Sequence, residues 1–274
     1  FAENCGFTLS EGAQFVILFD DELALELGAN IYGAVADVFI NADGFKKSIP
    51  GPGIGNYITV GKAMGVVRSI LGEDSLRTRS YMQAHGTSTP QNRVTESHIF
   101  NALAAEFGYE KLPVTAIKSY LGHSLACASA DQTVASLGVW NDGILPGILT
   151  SEKIADDVHL SHLDFILKHR EINTNDIDSV FINSKGFGGN NATAAILAPH
   201  VVLKMLQKKH GKDALLGHTR RNEFVKERIT EYDDSMIAGE NSTIYNFGKG
   251  VVEGEELEIS PKTIAIPGQK KKIN

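Results

Sequence analysis

The chain is a succession of short apolar runs separated by glycines and polar residues, and the spacing within each run predicts an element. Residues 13–19 (AQFVILF) are almost wholly apolar, the pattern of a strand covered on both faces. Asp20 and Asp21 offer N-terminal caps for a short helix after it, and Gly28 can end that helix. A second strand is expected over 31–40. The stretch 41–55 holds Pro50, Gly51, Pro52, Gly53 and Gly55 and is expected as an irregular loop. Ile58, Ala63, Val66, Val67 and Ile70 then recur on one helical face, which predicts a helix over 57–71.

From residue 80 the alternation becomes regular. A strand at 80–84 leads to a polar loop at 85–92, and a helix at 95–107 leads to a strand at 114–117. A helix near 124–140 follows, then a strand at 179–182, a glycine-rich turn and an apolar run at 192–197. Strands alternating with helices define an α/β protein whose parallel or mixed sheet carries helices on both faces. The small residues Ala126, Cys127, Ala128, Ser129 and Ala130 predict a helix that neighbours approach closely on every side, held between two sheets. Beyond Pro199, 201–216 and 219–232 read as charged helices. Residues 242–247, 257–260 and 263–266 read as short strands, and 270–272 as a frayed tail. No internal repeat of short period is visible.

Composition narrows the class. The chain has 274 residues, 42% of them hydrophobic and 22% charged, which excludes wholesale disorder. No apolar run is long enough to span a membrane, and the start carries no secretory signal. That start, Phe1 rather than Met, is expected for a fragment of a longer protein. Two cysteines, Cys5 and Cys127, make neither a disulfide framework nor a cysteine metal site, and point to a reducing, cytoplasmic setting. The net charge of −7 is uneven: −9 over residues 1–199 and +2 over 200–274. An acidic body argues against nucleic-acid binding.

Three loops at strand ends carry the polar residues that open α/β sheets use for chemistry. The first is His85-Gly86-Thr87-Ser88-Thr89-Pro90, an imidazole over a turn lined with hydroxyls. The second is Lys118-Ser119-Tyr120-Leu121-Gly122-His123. The third runs from Asn183 to Asn191 and holds Gly186, Gly188 and Gly189, where backbone N–H groups can approach a ligand. Taken singly, each histidine reads first as a hydrogen-bonded structural residue and Lys118 as a surface charge. The spacing Gly186-x-Gly188-x-x-Asn191 lacks the third glycine of a dinucleotide fingerprint. His85 and His123 lack a third ligand at metal-binding spacing. The joint occurrence of the three loops, in this order, is the informative feature.

Together they resemble the C-terminal half of a β-ketoacyl-acyl-carrier-protein synthase, a condensing enzyme of the thiolase superfamily. Residues 85–90 (HGTSTP) with Glu96 downstream, 118–123 (KSYLGH) followed by the small-residue helix, and 186–192 (GFGGNNA) each match a family loop. Gly6-Phe7 and Glu11-Gly12-Ala13 resemble the stretch that follows the family's nucleophile segment. The likeness runs from about residue 5 to 199, and the wording of 91–97 and the long tail are similar to an extended bacterial subgroup.

The resemblance implies a thiolase-like layered αβαβα fold. The chain would supply the end of the N-terminal half with a gate loop (1–56), the whole C-terminal half (57–199) and a helical and short-strand extension (200–274). It implies decarboxylative Claisen condensation of malonyl-carrier protein with an acyl thioester, in fatty acid or polyketide synthesis. His85 and His123 would donate to the enolate oxygen, and Lys118 would organise the site through Glu96. Thr87 and Thr89 would line the pantetheine channel, and Phe187, Gly188 and Gly189 would form the gate. No cofactor is implied beyond the phosphopantetheine of acyl-carrier protein, the expected partner, and the family's habit implies a homodimer.

The catalytic cysteine is expected upstream of residue 1, with Cys5 and Cys127 structural. Lys185 stands where relatives often carry a second gate Phe, Asn190 where a Thr is usual, and Arg93 where an Asp is common. The alternative is a non-catalytic, chain-length-factor-like subunit of a heterodimer, although such subunits usually lose the residues retained here. The stretch with Lys204, Lys208, Lys209, Lys212, Arg220 and Arg221 is the richest linear candidate for docking an acidic carrier protein; it reads equally as solvated helix faces.

Overall fold

The structure is a computed structural model and describes residues 6–44, 53–240 and 248–268. The chain divides into two compact units, 1–225 and 226–274. In chain order the first unit contains α1 (Asp21–Leu27), β1 (Ala34–Ala42), α2 (Ile54–Leu71), α3 (Glu73–Thr78), β2 (Ser80–Gln83), α4 (Pro90–Glu106) and β3 (Leu112–Thr115). There follow α5 (Lys118–Leu121), α6 (Ala128–Asp142), β4 (Ile144–Leu145), β5 (Leu163–Phe165), β6 (Arg170–Glu171), β7 (Ser179–Gly186), β8 (Asn190–Leu197) and α7 (Pro199–His210). Helix α8 (Lys212–Ile237) crosses the division. The second unit holds its end and the antiparallel pair β9 (Glu258–Ile259) and β10 (Ile264–Ala265).

Six strands form one mixed sheet in the order β1-β8-β7-β2-β3-β5. β7, β2, β3 and β5 run parallel, and β8 runs antiparallel to both its neighbours. β7, β2 and β3 lie inside the sheet, where both faces are covered and carry apolar residues, whereas β5 is an edge strand. Val60, Met64 and Val67 of α2 and Ile99 and Phe100 of α4 pack with Met82, Val114 and Phe181 on one face. Val139 and Trp140 of α6, Val201, Val202 and Leu206 of α7 and Leu25 of α1 pack with Tyr81, Val180 and Ile182 on the other. The result is a three-layer α/β/α sandwich. Residues 201–206 therefore belong to the main core, inside the segment expected as an extension.

The helix after Asp20 forms as read, with Asp20 accepting from the Leu23 N–H at 2.8 Å and Gly28 closing it at φ 66°. The strand expected over 13–19 does not form. Residues 11–20 have no regular structure, and Phe15 is 93% exposed. A strand exists only where a neighbour supplies its ladder, and among the described residues none lies beside this run. For the same reason α6 meets one sheet rather than two: Ala128, Gln132, Ser136 and Val139 are buried while Val134 is exposed. Of the loop expected over 41–55, residues 45–52 lie outside the described residues, while its ends belong to β1, which runs to Ala42, and to α2, which begins at Ile54. The expected strand 242–247 and tail 270–272 also lie outside the described residues. Among those described, no helix is long and apolar enough to cross a membrane.

The layers are tied together at the C-terminal ends of β2 and β7 by Gln132 of α6, which is fully buried. Its amide N–H groups reach the carbonyls of Gln83 (3.2 Å), Ala84 (2.8 Å) and Asn183 (3.1 Å). A buried polar group left without a partner costs ~1–3 kcal/mol. Gln132→Leu should therefore lower stability by roughly 2–4 kcal/mol, read as a lower urea midpoint at unchanged m-value.

Candidate active site

The first and third of the polar loops are held by one carboxylate. Glu96, on the second turn of α4, is 4% exposed and accepts four hydrogen bonds. They come from the backbone N–H of His85 (2.7 Å) and Gly86 (3.0 Å), and from the amides of Asn92 (2.9 Å) and Asn183 (2.8 Å). The turn that brings two consecutive N–H groups onto one carboxylate needs Gly86 at φ 57°, where a Cβ would come within 2.6 Å of the Ala116 Cβ. Asn183 also pairs with Asn56 (2.7 Å) and accepts from Thr193 (3.1 Å), which anchors β7 and β8 to α2.

His123 is clamped from below and oriented from its own loop. Its N–H donates to Thr8 O (2.7 Å), its carbonyl accepts from Ser10 N–H (3.1 Å), and Phe7 lies against the ring with centroids 5.2 Å apart. The Leu125 N–H points at Nδ1 at 3.0 Å. A nitrogen that accepts carries no proton, so the proton of the neutral ring sits on Nε2. Leu125 reaches this geometry with φ 56°, and the other described non-glycine residue with positive φ is Ser88 (φ 60°), in the His85 loop. Strain of this kind persists only where surrounding contacts hold it.

The His85 and His123 rings meet nearly at right angles, 84°, with centroids 5.3 Å apart. Burial, with Lys118, His123 and Lys185 adding to it, pulls the pKa of His85 down to about 2, and burial followed by Lys118 lowers that of His123. Both are neutral imidazoles at physiological pH. Burial brings Lys118 down to about 8, against the pull of Glu96 and Asp131. Lys118 does not hydrogen-bond Glu96, because the carboxylate is already occupied by neutral donors; its Nζ is buried with no partner, and the two act on each other through the field.

Thr89 caps α4 by accepting from Asn92 N–H (3.3 Å), and Thr87 lies 3.3 Å from it, hydroxyl to hydroxyl, at the mouth of the loop. Gly188 and Gly189, at φ 84° and 81°, close the β7–β8 hairpin, leaving Phe187 65% exposed at its tip. The hairpin is fastened by Asp43 N–H to Gly189 O (2.9 Å) and Asn191 to the Asp43 carboxylate (2.9 Å). Cys127 donates to Gly12 O (2.8 Å) and makes no hydrogen bond to either imidazole; Cys5 lies outside the described residues. Among the described residues no three His, Cys, Asp or Glu side chains gather as a metal site.

Reading the sequence placed Asn92 and Asn183 in polar loops but gave them no role, and it missed Asn56, Asp131 and Gln132, with Asp131 accepting from Gln14 and Ser124. The available signal was polar residues at inward positions of otherwise apolar or small-residue elements. The basic stretch does not form one patch beside this site. Lys209 pairs with Asp21 and Arg221 donates to Leu25 O. Lys204 and Lys208 border a groove of about 610 Å³ with Arg79 and Asp178, at the opposite ends of β2 and β7.

The mixed sheet and its covering helices match solved thiolase-like ketosynthases, and by its sequence the chain belongs to the β-ketoacyl synthases of that superfamily. Residues 32–152 match the family described as the beta-ketoacyl synthase C-terminal domain. The chain is 50% identical over 269 residues to beta-ketoacyl-[acyl-carrier-protein] synthase FabY of Pseudomonas aeruginosa, covering 98% of this chain and 42% of that protein. A crystal structure of that ketosynthase matches with a TM-score of 0.90 at 49% identity, over 99% of this chain and 42% of the other. With 3-oxoacyl-[acyl-carrier-protein] synthase 2 of Coxiella burnetii the identity is 31% over 198 residues, 70% of this chain and 44% of that one. The chain thus spans less than half the length of the relatives it matches.

The depressed basicity of His85 has a signed consequence. Between pH 6.5 and about 2 the unfolded chain binds a proton at this residue that the folded chain refuses, so stability falls as pH falls through that window. The slope from this residue approaches about 1.4 kcal/mol per pH unit. Two-bond ¹H–¹⁵N spectra should show His85 neutral at pH 5. His85→Asn should lose less stability than wild type between pH 6.5 and 4 by urea denaturation. Glu96→Ala, which strands four buried donors, should cost roughly 3–5 kcal/mol.

Proposed function

We propose that this chain carries the decarboxylation and condensation machinery of a 3-oxoacyl-acyl-carrier-protein synthase, acting with acyl-carrier protein in fatty acid biosynthesis. The observation that carries the reading is the pair of neutral imidazoles, His85 and His123, set 5.3 Å apart with the His123 proton on Nε2. Loss of CO₂ from a malonyl thioester breaks the C–C bond to the carboxylate and moves its electron pair into the thioester carbonyl. The product is an enolate, and two fixed N–H donors aimed at its oxygen stabilise that charge as it develops. The enolate carbon then attacks an acyl thioester on a cysteine, and the tetrahedral adduct expels the thiolate. Lys118 supports the site as a positioning charge, and Thr87 and Thr89 hold the pantetheine arm.

The nucleophilic thiol in this reading comes from protein outside these 274 residues. It is supported by the engagement of Cys127 with the Gly12 carbonyl and by the greater length of the relatives. The exposed run with Phe15, Ile17 and Leu18 and the exposed Val134 on α6 are the apolar surfaces such a part would cover.

In the complete enzyme, His85→Ala and His123→Ala should each slow CO₂ release from malonyl-carrier protein on the order of 100-fold. Acyl loading of the cysteine, followed by mass spectrometry, should change far less. Equal loss of both half-reactions would overturn the assignment.

A further inference from the structure

Lys185 is a buried cation that the reaction described above does not use. It lies on β7, two residues beyond Asn183, so both side chains leave the same face of the strand, the face packed by α2 and α4. The residue is 6% exposed, and its Nζ is buried with no hydrogen-bond partner. Every carboxylate around it is already engaged by neutral donors. Glu96 accepts from His85, Gly86, Asn92 and Asn183. Asp43 accepts from Gly55 N–H and Asn191. Asp131, which acts on Lys118 rather than on Lys185, accepts from Gln14 and Ser124. Lys118 Nζ is equally unpartnered. Lys118 and Lys185 both act on His85 through their charge, burial lowers the basicity of each, and both keep their N–H donors free; the charged form of such a pair is costly unless an anion completes it.

We propose that Lys185 is a specificity-determining residue that binds the free carboxylate of the malonyl group and selects a dicarboxylic acyl unit over a neutral one. The inference rests on the function proposed above. Of the groups that reach the reacting end of the site, the acyl donor is uncharged, and the phosphate of pantetheine lies at the far end of its arm. The malonyl carboxylate is the anion that arrives beside His85. Lys185 gives and takes no proton: when the C–C bond breaks, CO₂ leaves neutral and the electron pair passes to the enolate oxygen at the two histidines. A cation that favours the carboxylate before the bond breaks contributes to capture rather than to the rate of the bound complex.

The test uses the complete enzyme and the variants Lys185→Met, Lys185→Gln and Lys185→Arg. Removing the charge should raise KM for malonyl-carrier protein about tenfold, more than it lowers kcat, with KM for the acyl donor unchanged and Lys185→Arg close to wild type. The half methyl ester of the malonyl thioester lacks the anion. As an inhibitor it should bind wild type and Lys185→Met equally, a comparison that needs no turnover. An unchanged malonyl KM in the neutral variants, a joint shift of both KM values, or an ester that also discriminates wild type from Lys185→Met overturns the inference. Failure of the wild-type enzyme to release CO₂ from malonyl-carrier protein would instead overturn the functional reading beneath it. Should Lys185→Met fail to fold, Lys185→Gln is read in the same way.

Discussion

The Glu96 carboxylate is the interaction on which the site depends. It draws two backbone N–H groups of the His85 loop, a side chain of its own helix and Asn183 of a neighbouring strand to one point. Those donors come from separate parts of the sheet and its covering helices, so a single buried acceptor sets the relation between the loop, α4 and β7. Being saturated by neutral partners, it needs no cation in contact. That leaves Lys118 and Lys185 buried nearby with their donors unspent, and the field of those cations helps keep His85 neutral. The carboxylate thus shapes the loop directly and the electrostatics of the imidazoles indirectly.

A second constraint acts from the opposite face. Gln132 gives its amide to the carbonyls of Gln83, Ala84 and Asn183, where the pairing of β2 with β7 ends, so the two strands cannot splay there. On the far side of the loop, the segment through Thr8 and Ser10 pins the His123 backbone while Leu125 fixes the ring proton. Rigid elements below and short hydrogen-bonded loops above are what preorganised donors require, since donors that must reorient at the moment of reaction lose much of their worth.

Much of the fold was legible in the sequence. The helix after Asp20 has its cap, its terminating glycine and its periodicity written locally, and it forms as read. The strands at 80 and 179 are apolar on both faces because both faces are covered, and their runs show it. Helix α4 starts earlier than its apolar spacing indicated: Thr89 caps it and Pro90 takes its first position, a start signalled by residue chemistry rather than hydrophobicity. The run 13–19 misled because an apolar stretch records a demand for burial, not the presence of a partner that meets it. The same holds for the small-residue helix α6, which shows one buried face and one open one.

By itself the sequence determined most of the helices, the central strands, and which loops carry imidazole, amine and hydroxyl groups. Those follow from local propensity and from residue chemistry fixed at each position. Only the tertiary structure decided that His85 and His123 cross at 84°, and that Glu96 is spent on backbone and amide donors rather than on Lys118. It also decided that Lys118, which taken singly reads as a surface charge, is buried and unpartnered, as is Lys185. Burial and hydrogen-bond partnership depend on distant residues, 127 positions apart in the case of Asn56 and Asn183, and no local pattern encodes which of them will be nearest when the sheet closes.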